Sequence, residues 1–145
     1  MTKVFSALIL ALFAFGCQSS SQPTKEQLIS DLKTVHELLS NGDNMAAVEH
    51  FKGPDGISKE RLAKDLGGLL KKRELSMEGI EVLDQKGKFG KLSEVFPERG
   101  ASWVERNGIT KPEDCYGLGF KNAEVAAFWD GGKFLLIRLD DVGKL

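Results

Sequence analysis

Hydrophobic residues change their spacing along this chain. Val4 to Phe15 form an apolar run that only Ser6 interrupts, and from Thr24 to Leu70 apolar side chains recur three or four positions apart. After Leu75 the period falls to two. A spacing of three or four is that of one helix face, and alternation is that of one strand face. The pattern therefore predicts an apolar leader, a helical part and a sheet, in that order.

Three helices are predicted in the helical part. The first follows Thr24, which with Gln27 fits a capping box, and ends at Asn41-Gly42. Asp43 can cap a second helix that ends at Gly53-Pro54, and Ser58 can cap a third. The apolar faces are formed by Leu28, Leu32, Val35 and Leu39, by Ala46, Ala47, Val48 and Phe51, and by Leu62, Leu66, Leu69 and Leu70.

The segment 75–82 is predicted to be a bent strand. Leu75 and Met77 share one face and Ile80 and Val82 the other, so the phase slips at Gly79, which suggests a bulge. A turn over 84–87 and a short returning strand beginning at Phe89 follow. Residues 92–107 are predicted to be helical from the spacing of their apolar positions.

The C-terminal part is predicted to be an antiparallel meander. Residues 115–121 alternate apolar and small positions, and the segments 124–129 and 133–140 are joined by Asp130-Gly131-Gly132, a hairpin signal. The last segment is apolar on both faces, which favours a central or helix-covered strand. We therefore predict an α+β fold, a single domain over 24–145 with N-terminal helices packed on a C-terminal antiparallel β-sheet.

Charge gives little support for nucleic-acid binding. The chain has 20 basic and 21 acidic residues in 145, and without residues 1–16, which contain one base and no acid, the balance is 19 − 21 = −2. Binding to nucleic acid depends on clustered Lys and Arg. The one tight cluster, Lys71-Lys72-Arg73, lies where the third helix is expected to end, and a helix dipole favours cations there.

The leader predicts export. As a helix, the apolar run would span ~18 Å, well short of the ~30 Å hydrocarbon core. It therefore has the length of a signal-peptide apolar region, preceded by the basic Lys3. Ala14 and Gly16 satisfy the small-x-small rule for cleavage before Cys17, so residues 1–16 are predicted to be removed.

The segment Ala14-Phe15-Gly16-Cys17 resembles the lipobox of bacterial lipoproteins. The resemblance implies that the sulfur of Cys17 receives a diacylglycerol and that its new amino group receives a fatty acid such as palmitate. The sequence departs from the family pattern in having Ala14 in place of the usual leucine and Phe15 in place of a small residue. Ordinary secretion without lipid is the alternative. Two or more acyl chains give stable attachment to a membrane.

The polar segment 18–23 follows as a linker of the kind that holds a domain off a membrane. With Cys17 lipidated, Cys115 has no intramolecular partner, so the body is expected to fold without a disulfide. Gln18 stands directly after the cysteine, and this position resembles that of lipoproteins that are passed to an outer membrane. The expected location is the cell envelope, at the outer membrane if the cell has one.

The body also resembles the cone-shaped fold of nuclear transport factor two and its relatives. The resemblance lies in the order of elements and in the turn Asn41-Gly42-Asp43 before the alanine-rich segment 45–51. It implies helices on a curved sheet that encloses a cavity. Helices packed on one face of a different α+β sheet are the alternative.

Several residues could carry chemistry. His36 and His50 lie on different predicted helices without ligand spacing, and Asp114 disfavours a reactive Cys115. Asp140 and Asp141 would point to opposite faces of a strand. We expect no catalytic centre, metal or cofactor. The predicted pocket consists of Trp103, Tyr116, Trp129 and Asp140, chosen by residue type.

These observations favour a membrane-anchored binding or interaction module whose protein or small-molecule ligand the sequence does not identify. A small-molecule-processing enzyme of the cone-fold type is one alternative. It predicts a cavity that holds at least one acid with a raised pKa, near Tyr116 or Asp140. A structural or envelope-assembly role is the other alternative.

Overall fold

The computed structural model describes residues 22–145, in which helices come first and a sheet closes the chain. The leader and Cys17 lie outside the described residues. The helices are α1 (Lys25–Ser40), α2 (Asn44–Val48), α3 (Lys59–Leu66), α4 (Met77–Lys86), α5 (Leu92–Val95) and α6 (Gly100–Arg106). The strands are β1 (Lys88–Lys91), β2 (Cys115–Phe120), β3 (Ala123–Trp129) and β4 (Phe134–Asp140), and short 3₁₀ helices span Pro112–Asp114 and Val142–Lys144.

The predicted starts of the first and third helices are confirmed. The Thr24 side chain accepts a hydrogen bond from the Gln27 amide, and Ser58 accepts one from the Arg61 amide. Gly42, at φ 79°, follows α1 in the left-handed region that glycine adopts without strain. The second helix is shorter than predicted and ends at Val48, before Phe51, and Asp43 makes no capping bond.

The prediction of a bent strand over 75–82 is wrong, because residues 77–86 form α4. The Ser76 side chain accepts a hydrogen bond from the Gly79 amide at 3.0 Å and so caps this helix. Ile80 and Leu83, three apart, are both fully buried. The slip at Gly79 was therefore a helical period and not a bulge.

The predicted antiparallel meander is confirmed, and β1 extends it to a four-stranded sheet in the order β1-β2-β3-β4. Residues 130–133 connect β3 to β4, and the Asp130 side chain accepts hydrogen bonds from the amides of Gly132 and Lys133. β4 is an edge strand and not a central one, but it is helix-covered, because Phe134 and Leu136 lie in the larger core and Ile137 packs against the smaller one. Its outer edge is partly covered, because Phe51 forms a parallel bridge with Leu136 and the buried Asp31 accepts a hydrogen bond from the Phe134 amide at 2.9 Å.

Helices cover both faces of the sheet. The larger core lies between the sheet and α1, α2, α3 and α4, and includes the fully buried Leu28, Leu32, Ile80, Val125 and Phe134. On the other face, α5 and α6 cover a smaller core of Leu92, Trp103, Cys115 and Ala126. The α+β class with N-terminal helices packed on a C-terminal sheet is thus confirmed, whereas the cone shape stays a prediction.

Small residues on β2 make room for the second helical layer. The Phe96 ring lies so close to Gly117 and Gly119 that a Cβ at either position would press on it. The helical structure predicted over 92–107 is interrupted around this residue, because α5 ends at Val95 and α6 begins at Gly100. Within residues 22–145, no helix combines the length and the hydropathy needed to span a bilayer.

Candidate functional site

The four residues of the predicted pocket do not meet. Tyr116 and Trp129 lie on the larger-core face, where both rings pack edge-on against Phe134 at centroid distances of 5.8 and 4.9 Å. Trp103 lies in the smaller core on the opposite face. Asp140 ends β4 and pairs with Arg138. The sheet therefore separates Trp103 from the other two aromatic residues.

Of the four, Trp103 lines a cavity, which we call the Trp103 cleft. It has a volume of about 200 Å³ and lies at the β4 edge of the sheet. Its walls come from the segment 51–54, Leu62, the C-terminal half of α6 and the residues 136–138 of β4. Three cationic side chains line it, namely Lys52, Arg106 and Arg138.

The guanidinium group of Arg138 is held in place by contacts on its planar face and along its edges. Its guanidinium carbon lies 4.8 Å from the centre of a Trp103 ring, which is a cation–π contact. Its Nη2 lies 2.9 Å from an Asp140 oxygen and its Nε 3.5 Å from a Glu124 oxygen. The side chain of Glu124 is only 4% exposed and also pairs with Arg99. The guanidinium is thus oriented before any ligand arrives, which lowers the entropy cost of binding.

The other two cations of the cleft, Lys52 and Arg106, are less strongly bound to carboxylates. The Lys52 ammonium lies 3.6 Å from the exposed carboxylate of Asp55, an ion pair that solvent weakens. Arg106 is exposed and forms no ion pair with any residue in the described part of the chain. The cleft therefore has cationic groups available for an anion, beside the apolar Phe51, Leu62 and Ile137.

Three carboxylates form a second cluster at the end of β4. One oxygen from each of Glu74, Asp140 and Asp141 lies within 4.8 Å of the others, an arrangement that could hold a metal ion. Lys144 lies 2.6 Å from Asp141 and 3.9 Å from Glu74, and Arg138 pairs with Asp140. These two cations already neutralise much of the charge that would attract a metal.

Glu74 has the raised pKa that the enzyme hypothesis requires near Asp140. Burial raises the pKa of its carboxyl, and the hydrogen bond with Asp140 adds to the shift. The Asp141 amide donates to Glu74 at 2.9 Å, so the carboxyl also ties the 73–74 turn to the end of β4. Tyr116 is bound elsewhere, since its hydroxyl lies 3.0 Å from the Lys91 ammonium beside β1. The acid and the tyrosine do not share a site.

The histidines and the cysteine lie apart. His36 is half-buried on α1, and His50 lies in the chain that crosses the β4 edge, where its carbonyl accepts a hydrogen bond from the Leu136 amide. Burial lowers the pKa of His50, and the Lys133 charge adds to the effect. Cys115 is fully buried, and burial raises the pKa of its thiol to about 11. At neutral pH this thiol is protonated, which makes it a poor nucleophile.

Residue types alone did not reveal the Trp103 cleft. Lys52 follows a helix, Arg106 ends one and Arg138 lies in a strand, more than thirty positions from its nearest cationic partner in the cleft. One signal was available, because Arg138 is the sole charged residue within the apolar run 134–139. A charge in such a run needs a partner or a ligand.

Comparisons with protein-family models, curated proteins and solved structures found no match to this chain. The resemblances to bacterial lipoproteins and to the nuclear transport factor two fold therefore stay predictions.

Proposed function

We propose that this protein is a lipid-anchored binding protein of the cell envelope that holds a small, multiply charged anion in the Trp103 cleft. The observation that carries the proposal is the convergence of Lys52, Arg106 and Arg138 on one cavity. The anchor and the location rest on the resemblance of residues 14–17 to a lipobox.

A lipid anchor on Cys17 would explain the polar sequence between this cysteine and the folded body. Residues 18–23 are polar, and the folded body begins with the Thr24 cap of α1. Lipid on Cys17 would hold the body at a membrane surface, with these six residues as a short spacer. The remaining cysteine is buried in the smaller core and is not needed for the attachment.

Metabolic labelling with an alkyne analogue of palmitate tests the anchor. The wild type and Cys115→Ala are expected to incorporate the label, and Cys17→Ser is expected to lose it. Equal labelling of Cys17→Ser and the wild type would refute lipidation at this residue.

The geometry of the cleft favours a compact anion over a large ligand. A volume of about 200 Å³ lies below the usual range for drug-sized ligands. Guanidinium groups bind carboxylates and phosphates through paired hydrogen bonds. Arg106 has this pairing available, whereas Arg138, already paired with Glu124 and Asp140, adds a fixed positive group beside it. No acid in residues 22–145 competes for Arg106 through an ion pair. Inorganic phosphate and succinate are suitable probes of this chemistry.

Isothermal titration calorimetry of the Cys17→Ser protein tests the binding. Phosphate or succinate is expected to bind, and Arg106→Gln is expected to weaken the affinity by roughly tenfold, the loss of one charged hydrogen bond. Lys33→Gln is the matched control, because Lys33 is exposed on α1 away from the cleft lining. Equal weakening in both variants would contradict the proposal.

Salt offers an independent check on the same protein. At 1 M salt the screening length is about 3 Å, so the affinity for the anion should fall. Neutral succinamide should not bind. An affinity for succinate that is unchanged by salt and is shared by succinamide would exclude charge recognition as the basis of binding.

A further inference from the structure

A second cavity lies at the end of the sheet formed by the turn between β2 and β3. It has a volume of about 300 Å³, and the α4 residues Val82 and Lys86 form part of its wall. Its apolar surface comes from Val82, Phe120, Ala123 and Leu145. Its polar lining consists of Lys86, Lys121, Asn122, Asp141 and Lys144. We call it the lysine-rimmed pocket. It shares no lining residue with the Trp103 cleft.

Two of the three rim lysines have no acidic partner among residues 22–145. The Lys144 ammonium lies 2.6 Å from Asp141 and is neutralised there. The ammonium groups of Lys86 and Lys121 lie 6.0 and 5.4 Å from the centre of the Phe120 ring, and neither forms an ion pair within residues 22–145. An exposed cation–π contact of this kind is weak. A carboxylate between these lysines would interact with them more strongly.

The conformation of the turn fixes the position of Lys121. The backbone of this residue has φ 53°, a left-handed conformation that residues other than glycine rarely adopt. Ala123, which follows the turn, is 1% exposed and pairs with Phe120 across the strands. The charged rim and the apolar floor are therefore held next to each other by the same tight turn.

We propose that the lysine-rimmed pocket binds a free single-chain carboxylate amphiphile, such as a short fatty acid. The carboxylate pairs with Lys86 and Lys121, and the alkyl chain covers Val82, Phe120 and Ala123. The apolar floor offers nothing to a bare anion. The two lysines repel a cation and bind a neutral acceptor more weakly than a carboxylate. The volume is at the lower end for ligand pockets, so a short chain fits better than a long one.

Calorimetric titration of the Cys17→Ser protein with octanoate tests this proposal. Octanoate should bind, while acetate, which lacks the chain, and octanamide, which lacks the charge, should bind at least tenfold more weakly. Lys121→Gln should weaken octanoate binding by roughly tenfold, and Lys33→Gln should leave it unchanged. Retention of the wild-type affinity in Lys121→Gln, or equal binding of acetate and octanoate, would overturn the proposal.

Two further arms identify the site and the source of the amphiphile. Arg106→Gln should leave octanoate binding unchanged, which separates this pocket from the Trp103 cleft. Vesicles containing anionic phosphatidylglycerol present a negative bilayer surface in place of a free chain. Binding to these vesicles without binding to octanoate would overturn the proposal in favour of a membrane-contact surface.

Discussion

At the scale of single residues, some glycines allow elements to pack closer than a Cβ would permit. Gly79 lies on the side of α4 that packs against the 3₁₀ turn 142–144, and a Cβ there would overlap the Val142 carbonyl. Gly68 follows α3, and a Cβ there would meet only ordinary contacts with Lys72 and Asp65. The two glycines look alike in the sequence, so their different roles depend on the tertiary packing around them.

Gly79→Ala is expected to destabilise the protein by about 2 kcal/mol, because overpacking of a close contact costs on the order of 1–3 kcal/mol. Gly68→Ala should be neutral or stabilise by up to about 1 kcal/mol, since it reduces the freedom of the unfolded chain. Urea unfolding of both variants measures the difference. Equal stability of the two variants would contradict the packing of α4 against Val142.

The buried thiol of Cys115 should make the free energy of unfolding depend on pH. Burial raises the pKa of its thiol from 9.0 to about 11, and the charges of Asp114 and Glu113 add to the shift. Because the folded pKa is the higher one, the unfolded chain releases the proton first as the pH rises. The stabilisation is therefore fully present below about pH 9 and is lost as the pH rises toward about 11.

Between pH 8 and about pH 10.5, the wild type should lose about 2 kcal/mol more unfolding free energy than Cys115→Val. The comparison of the two proteins cancels the titration of the lysines and the tyrosine that they share. Urea unfolding at both pH values measures it. Parallel losses in both proteins would show that the thiol is not buried.

At the scale of elements, local signals predicted most of the fold. Capping residues located α1 and α3, and Asp130-Gly131-Gly132 located the hairpin, because these signals act within a few residues. The prediction for the segment 75–82 was wrong because its four apolar positions fit a broken alternation as well as a helical period. Ser76, an available cap, was the signal that could have decided between them.

Ser76→Ala tests this assignment. Loss of the hydrogen bond from the Gly79 amide should cost about 1 kcal/mol of unfolding free energy. Ser93→Ala is the matched control, because Ser93 is exposed on α5 and is not a helix cap. If both variants have the same denaturation midpoint, Ser76 does not cap a helix.

At the scale of the whole molecule, the two candidate pockets depend on contacts that no local pattern encodes. The Trp103 cleft joins the segment after α2 to the end of α6 and to β4. The parallel bridge between Phe51 and Leu136 brings the first of these to the sheet. Choosing residues by type placed Trp103 at a cavity, but it grouped that residue with Tyr116 and Trp129, which lie beyond the sheet.

The anchor and the body are also connected at this scale. Residues 14–17 determine where the protein is proposed to work, and the fold determines what it could hold there. Neither feature predicts the other, since α+β folds serve many functions. The proposed function therefore depends on occupancy of the Trp103 cleft by an anion.

Tryptophan fluorescence tests that occupancy most directly. In the Trp129→Phe protein, Trp103 is the remaining tryptophan, and it contacts the guanidinium of Arg138. Titration with phosphate or succinate should change its emission saturably, and Arg106→Gln should shift the midpoint to roughly tenfold higher concentration, while Lys33→Gln should not. Unchanged emission, or the same midpoint in all three proteins, would contradict anion binding in the cleft.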